Sequence, residues 1–171
     1  MIIGLMLGHW GKTGRTRDRG AAGKEAYEVA RIMVDAGIIL DKEHTVYLLC
    51  HGEYKEREIF ASKHCDVFFS FHLNWFDPPG RYGLLLYKKD DEKSKILADI
   101  LAYKFTKVLG YPFKVWALKK GDRGFNNLMY LSIPGILLEP GFLNNPEHMR
   151  RINGEKIGKV LLWGLKKWRI Q

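Results

Sequence analysis

The chain has 171 residues, of which 46% are apolar and 27% charged, a balance that supports one folded domain and excludes intrinsic disorder. Its 28 basic and 19 acidic side chains give a net charge of +9, which favours a polyanionic partner such as nucleic acid, an anionic membrane surface or an acidic wall polymer. Two cysteines, Cys50 and Cys65, are too few for a disulfide scaffold.

Short apolar runs alternate with helical patterns along the chain, which is typical of an α/β fold with largely parallel strands. The predicted strands cover residues 2–7, 45–50, 66–71, 82–87, 113–117 and 135–138. The predicted helices cover residues 24–36, where we expect Gly37 to end the helix, 54–64 and 92–109, and two more start behind Asn145 and Asn153. We therefore predict one α/β domain over residues 1–171, built on a mixed, mostly parallel twisted sheet with helices on both faces.

The sequence predicts neither a membrane span nor an export signal. The longest uncharged stretch, residues 124–138, is shorter than the about 20 apolar residues that a spanning helix needs, and Pro134 interrupts it. The apolar start, residues 1–7, lacks a basic leader and is too short for a signal sequence. We expect a protein that is made in the cytoplasm without a signal peptide.

Three residues that can bind metals or transfer protons directly follow predicted strands. His9 follows the first strand, His72 the third, and Glu139 the late strand at 135–138. Ligands of open α/β sheets bind at the carboxyl ends of the strands, so we expect these side chains to meet at one rim. Glu25 lies in the first predicted turn of the helix that runs back from that rim. Two imidazoles and one carboxylate are a common ligand set for catalytic zinc, and a further carboxylate can act as general base and acid.

Each of these residues also has an ordinary explanation. Any of the four can stand near a strand end by chance, and a glutamate in the first turn of a helix is favoured by the helix dipole. Glu139 is the stronger indication of a functional site. It follows the apolar run 136–138 and precedes Pro140, where a carboxylate is costly to bury without a function. The four residues are far apart in the chain and form no compact metal-binding motif, so their spacing alone does not identify a site.

Four blocks of sequence bring these residues into a recognisable order. They are GHWG at 8–11, GKE at 23–25, FSFHLN at 69–74 and PGILLEPGFLNN at 134–145. Together they resemble the zinc-dependent N-acetylmuramoyl-L-alanine amidases of phage endolysins and bacterial wall-remodelling enzymes, over nearly the whole chain. The resemblance implies that His9, Glu25 and His72 bind one zinc ion and that Glu139 is the catalytic glutamate. It also implies hydrolysis of the bond between the lactyl group of N-acetylmuramic acid and L-alanine in peptidoglycan.

Positive charge is concentrated in the loop between two of the implied ligands. The basic residues of this segment are Lys12, Arg15, Arg17, Arg19 and Lys24. We expect them to surround the mouth of the site, where they suit an anionic substrate. Arg15, Arg17 and Asn74 are the predicted substrate-binding residues, and anionic wall polymers are expected partners. A second basic region, residues 150–169, is interpreted as the solvated face of the last helix.

The sequence therefore predicts a monomeric zinc amidase with one zinc ion per chain and one catalytic domain, without a separate wall-binding domain. We expect it to act as a phage or prophage endolysin that reaches the wall through a phage-encoded pore. One alternative is a basic nucleic-acid-binding domain without catalysis, although no helix-turn-helix, RRM or zinc-finger pattern is present and no nucleic-acid partner is expected. Another alternative is a zinc peptidase that cleaves a different bond of the wall.

Overall fold

A computed structural model describes the backbone of residues 1–8 and 19–170, and the side chains of all of these except residues 19–23. The strands are β1 (Ile2–Leu7), β2 (Thr45–Leu49), β3 (Val67–Phe71), β4 (Gly83–Lys88), β5 (Phe113–Leu118) and β6 (Gly135–Glu139). The helices are α1 (Arg19–Leu40), α2 (Tyr54–His64), α3 (Glu92–Leu109), α4 (Pro146–Arg151) and α5 (Gly154–Trp168). A 3-10 turn covers Phe125–Asn127.

The strands pair into one sheet with the order β2-β1-β3-β6-β4-β5. The pairs β1–β2, β1–β3, β3–β6 and β4–β5 are parallel, and β4–β6 is antiparallel. The mixed, mostly parallel sheet that the sequence predicts is therefore confirmed. Because β4 is reversed, the amino ends of β4 and β5 lie at the edge where β1, β3 and β6 have their carboxyl ends.

Helices cover both faces of the sheet, as predicted. Helices α1, α3 and α5 pack on one face, where they enclose the larger apolar core. Successive side chains of a strand point to opposite faces; in β1, Leu5 and Leu7 belong to this larger core while Met6 faces the other side. The second face carries α2 and the 3-10 turn, whose Ala61 and Leu128 belong to a smaller core.

Helix α1 differs from its prediction at both ends. It is described from Arg19 to Leu40, against the predicted 24–36, and Gly37 lies inside it. A β-carbon at Gly37 would lie 3.3 Å from Leu48 Cδ2 and 3.5 Å from Leu5 Cδ1. The prediction that Gly37 ends the helix was wrong, because a glycine that allows close packing on the sheet has the same sequence signature as a helix stop.

Helix α5 crosses α1 at short distance because it presents two glycines, one turn apart, to the α1 backbone. A β-carbon at Gly154 would lie 2.6 Å from the Ile32 carbonyl oxygen, and one at Gly158 would lie 2.8 Å from the Ala36 carbonyl oxygen. Asn153 caps α5 by accepting a hydrogen bond from a backbone N–H of its first turn, as predicted. Along the part of the chain that the structure describes, no helix combines the length and the apolar character that crossing a bilayer requires.

Candidate active site

The carboxyl ends of β1, β3 and β6 lie side by side at one edge of the sheet, which we call the rim. Phe71 of β3 pairs with Leu7 of β1 and with Leu138 of β6. Just beyond the strands, the Gly8 N–H donates to the Phe71 carbonyl and the His72 N–H donates to the Leu138 carbonyl, each over 2.9 Å. The structure therefore places His72 at the rim beside the end of β6, whose last residue is Glu139.

Glu25 reaches the same rim from α1. Its Oε1 atom lies 3.7 Å from His72 Nδ1, and both side chains are almost completely buried. The Leu73 N–H donates to the same Oε1 over 3.1 Å. Glu25 lies more than one turn inside α1, which is described from Arg19, so the helix dipole that acts on first-turn glutamates does not account for it.

Asn127 determines which nitrogen of His72 faces Glu25. Its Oδ1 lies 2.9 Å from His72 Nε2, and because an amide oxygen can only accept, Nε2 carries the proton. The orientation of the amide is set by Nδ2, which donates to the Gly124 carbonyl over 3.2 Å. The Ser70 hydroxyl also donates to Oδ1, over 3.4 Å. In the neutral imidazole the opposite ring nitrogen, Nδ1, is then the acceptor nitrogen, on the side of Glu25.

Asn127 was not predicted as a site residue. It lies three positions after Gly124 in an uncharged stretch, and asparagine close to glycine is typical of an ordinary turn. The structure places it in the 3-10 turn with its side chain buried, so it is a buried polar group whose partner is the candidate ligand His72.

Gly8 brings the end of β1 against the ring of His72. A β-carbon at Gly8 would lie 2.4 Å from His72 Cε1 and 2.5 Å from the Phe71 carbonyl oxygen. Any larger residue would displace the imidazole or separate the two strands. Gly8, which precedes His9 in the chain, is thus required by the packing of His72.

Glu139 has a perturbed carboxyl group. Burial is the main cause of its raised pKa, and the positive charge of Arg123 opposes the increase. A carboxyl group at the cleft wall that retains its proton to higher pH than usual is suited to giving and taking protons.

A cleft of about 1010 Å³ opens on the face of the sheet that carries α2. His72, Asn74 and Glu139 line it at the rim. The start of α2, the loop around Arg123 and the exposed side of β5, including Trp116, line the rest. The volume is at the upper end of the range for small-molecule pockets, about 300–1,000 Å³, so the cleft can hold more than a single reacting bond.

The remaining predicted site residues divide into two groups. Asn74 lies in the cleft wall, where its Oδ1 accepts the Trp75 N–H over 2.8 Å and its backbone pairs with the segment around Phe142; its role in substrate binding stays a prediction. His9, Arg15 and Arg17 lie outside the described residues. Within residues 1–8 and 19–170, no three His, Cys, Asp or Glu side chains are close enough to hold a metal ion.

A family model described as N-acetylmuramoyl-L-alanine amidase matches residues 3–165. An N-acetylmuramoyl-L-alanine amidase from Clostridium difficile 630 superposes with a TM-score of 0.79 at 20% identity, over 99% of this chain and 97% of that one. The catalytic domain of an amidase from Bacillus (Paenibacillus) polymyxa gives 0.77 at 20% identity, over 99% and 98%. The catalytic domain of an endolysin targeting Clostridia difficile gives 0.77 at 22% identity, over 98% and 97%. At these identities the likeness shows the fold. No curated protein sequence matches the chain significantly.

Proposed function

Because the chain belongs to the N-acetylmuramoyl-L-alanine amidase family, we propose that it hydrolyses the amide bond between the lactyl group of N-acetylmuramic acid and L-alanine in peptidoglycan, using one zinc ion held by His9, Glu25 and His72. The observation that carries the proposal is the buried approach of Glu25 to His72 at the rim where β6 ends in Glu139. A nucleic-acid-binding domain without catalysis accounts for neither this pair nor the family match.

The described ligands fit zinc in chemistry and distance. Two ligand atoms at about 2.0–2.2 Å from a tetrahedral zinc ion lie roughly 3.3–3.6 Å apart, and Glu25 Oε1 and His72 Nδ1 are 3.7 Å apart. The proton on His72 Nε2 is directed to Asn127, which leaves the acceptor nitrogen for the metal. His9 would be the third ligand, which completes the set of three protein ligands that is common for catalytic zinc.

Held by His9, Glu25 and His72, zinc would supply a Lewis acid for the scissile carbonyl and a water molecule of lowered pKa for the attack. Glu139 accepts a proton from the attacking water and delivers it to the nitrogen of the departing L-alanine. Burial, which raises the pKa of Glu139, favours the protonated form that the second step needs. Asn127 holds the imidazole of His72 in one orientation, and the Leu73 N–H holds the carboxylate of Glu25.

We propose further that residues 1–171 work as one catalytic domain of an endolysin that meets the wall after release through a phage-encoded pore. The structural likeness to an endolysin catalytic domain and the net charge of +9 support this role, because a basic surface is attracted to anionic wall polymers. Lysis of cells that express the chain should require co-expression of a pore-forming protein, and lysis without the pore would contradict the proposed route.

The reaction is tested by digestion of purified peptidoglycan. Amidase activity exposes new L-alanine amino termini and no new reducing sugars, is abolished by a chelator, and returns when zinc is added. New reducing ends would indicate a glycosidase, and new amino termini at another residue would indicate the zinc peptidase considered from the sequence. Either result would overturn the proposal.

A further inference from the structure

Three side chains, one directly before β4 and two on β5, form a partly exposed cluster beside the cleft, which we call the aromatic platform. It consists of Tyr82, Lys114 and Trp116. The rings of Tyr82 and Trp116 have centroids 6.4 Å apart. Lys114 Nζ lies 3.9 Å from the Tyr82 centroid and 5.7 Å from the Trp116 centroid, so its ammonium group is attracted by both rings.

The sheet register places the platform close to Glu139. Leu84 pairs with Glu139 on one side and with Lys114 on the other. Residues paired directly across strands share a face, so Glu139 and Lys114 point to the same side, two strand spacings or about 10 Å apart. Trp116, two residues after Lys114 on the same side of β5, pairs with Leu86 and lines the cleft. The reversed direction of β4 is what brings this cluster to the rim.

Folding does not explain why the Trp116 side chain of the platform is exposed. An exposed lysine is usual on an edge strand such as β5, because it blocks pairing with other molecules. A tryptophan that is 46% exposed gives no such protection. Trp116 lines the cleft, and an indole combines an apolar surface with an N–H donor, the combination that makes tryptophan frequent in binding sites.

We propose that the aromatic platform is a subsite for an N-acetylated pyranose ring of the glycan strand. The inference rests on the proposed function, in which the scissile carbonyl is joined to the sugar ring by only one carbon atom and one ether oxygen. A sugar must therefore lie beside Glu139, and the strand continues from it. The C–H face of a pyranose ring matches the aromatic surface, and the Lys114 ammonium group can donate to its hydroxyl or acetamide oxygens.

The subsite is tested with a soluble tetramer of N-acetylglucosamine, followed by the NMR signal of the Trp116 indole N–H. The tetramer should shift this signal saturably. Trp116→Ala should weaken binding about tenfold, the loss expected for one stacking aromatic side chain, and Trp116→Phe, which keeps a ring, should lose less. Trp163→Ala is the matched control, because Lys104 Nζ lies 5.1 Å from the Trp163 ring in a similar pair on the other face of the sheet. Its affinity for the tetramer should equal that of the unmodified chain.

Two results would overturn the subsite: no shift of Trp116 with the tetramer, or equal affinity for Trp116→Ala and the unmodified chain when circular dichroism shows both folded. A shift produced by the peptide L-Ala–D-Glu–L-Lys instead of the sugar would also overturn it. The tetramer contains no muramoyl–alanine bond and its binding needs neither zinc nor turnover. Sugar binding in a chain that fails the peptidoglycan digestion would support the subsite while overturning the proposed function.

Discussion

Glu25 and Glu139 are carboxylates at one rim, yet their surroundings suit different tasks. Glu25 Oε1 faces the acceptor nitrogen of His72 and is held by a backbone N–H, which suits a metal ligand. Glu139 ends β6, and burial raises its pKa, which suits a group that exchanges protons. Substitution by glutamine keeps the shape of each side chain and separates the two tasks.

We expect Glu139→Gln to retain zinc and the fold while turnover falls by roughly 10²–10⁴, because an amide cannot accept the proton of water. Glu25→Gln should lose zinc affinity, since a neutral amide is a poorer ligand than a carboxylate. Metal analysis and peptidoglycan digestion of both variants measure the difference. Loss of zinc from Glu139→Gln with retention in Glu25→Gln would reverse the two assignments.

Asn127→Leu should weaken zinc binding by about 10–100-fold, because His72 loses the group that fixes its tautomer and ring orientation. Competition with a chelator measures the affinity, and the ¹⁵N shifts of His72 in the metal-free protein report the tautomer directly. Asn127→Asp keeps an acceptor for Nε2–H and should preserve the tautomer. Asn126→Ala, at the neighbouring position in the same turn, is the control; an effect as large as that of Asn127→Leu would mean that the turn, not the hydrogen bond, matters.

Some of these residues could be predicted from the sequence and others could not. His72 and Glu139 could be predicted because each interrupts an apolar strand, where a charged or polar side chain is conspicuous. Asn127 could not, because its function depends on a contact across 55 positions of the chain that no local pattern records. The predicted contributions of His9, Arg15 and Arg17 lie outside the described residues and stay predictions.

At the level of elements, the α1–α5 contact depends on the absence of side chains. Gly158→Ala should destabilise the fold by about 1–3 kcal/mol, because its β-carbon would press on the α1 backbone at Ala36, which cannot move aside. Gly37→Ala is the control, since its β-carbon would meet side-chain methyl groups of Leu48, Leu5 and Val46 and no backbone atom among its nearest contacts, and alanine favours a helix by up to about 1 kcal/mol. Urea unfolding measures both. If Gly158→Ala lost no more stability than Gly37→Ala, α1 and α5 could separate at little cost in free energy.

Helix α2 is attached to the segment after the 3-10 turn by a buried carboxyl group. Glu58 Oε2 accepts the Tyr130 N–H over 2.6 Å, and Oε1 has no hydrogen-bond partner among the described residues. Burial raises the pKa of Glu58 from 4.5 to about 7. The folded protein therefore holds a proton that the unfolded chain releases between these two pH values.

The sign of this linkage predicts that stability falls as pH rises from about 4.5 to about 7, by up to about 3 kcal/mol from Glu58 alone. Glu58→Gln keeps an acceptor for the Tyr130 N–H and cannot ionise, so its loss of stability over this range should be smaller by that amount. Urea unfolding of both proteins at pH 5 and pH 8 measures the difference. Parallel pH profiles would show that Glu58 is already ionised in the folded protein at pH 5.

Most strands were predictable because short apolar runs mark them, as at Val67–Phe71 and Gly135–Glu139. The direction of β4 was not, because it is set by pairing with β6, and no local pattern shows that this later strand lies between β3 and β4. Gly37 was misread because sequence records a glycine without recording what lies against it.

For the whole molecule, we predict that charge governs attraction to the wall. Replacing Arg15, Arg17 and Arg19 by glutamine should weaken binding to intact walls more than turnover of a small soluble substrate. Added salt should have the same effect, because the Debye length falls from about 10 Å at 0.1 M to about 3 Å at 1 M. Replacing Lys156, Lys167 and Arg169 on and after α5 removes the same charge elsewhere and is the control. Sedimentation with walls measures binding, and equal losses would assign the attraction to net charge instead of the loop.

The position of β6 in the sheet sets the order in which a newly made chain can fold. It is the last strand to be synthesised, yet it lies between β3 and β4. Until it emerges from the ribosome, β2-β1-β3 and β4-β5 have no strand to connect them, and final assembly depends on contacts between distant parts of the chain, which slow folding. Glu139 is carried by this same strand, so the sheet is completed and the proposed catalytic carboxylate is installed in one event. A nascent chain that stops before β6 therefore has neither a continuous sheet nor the proposed catalytic carboxylate.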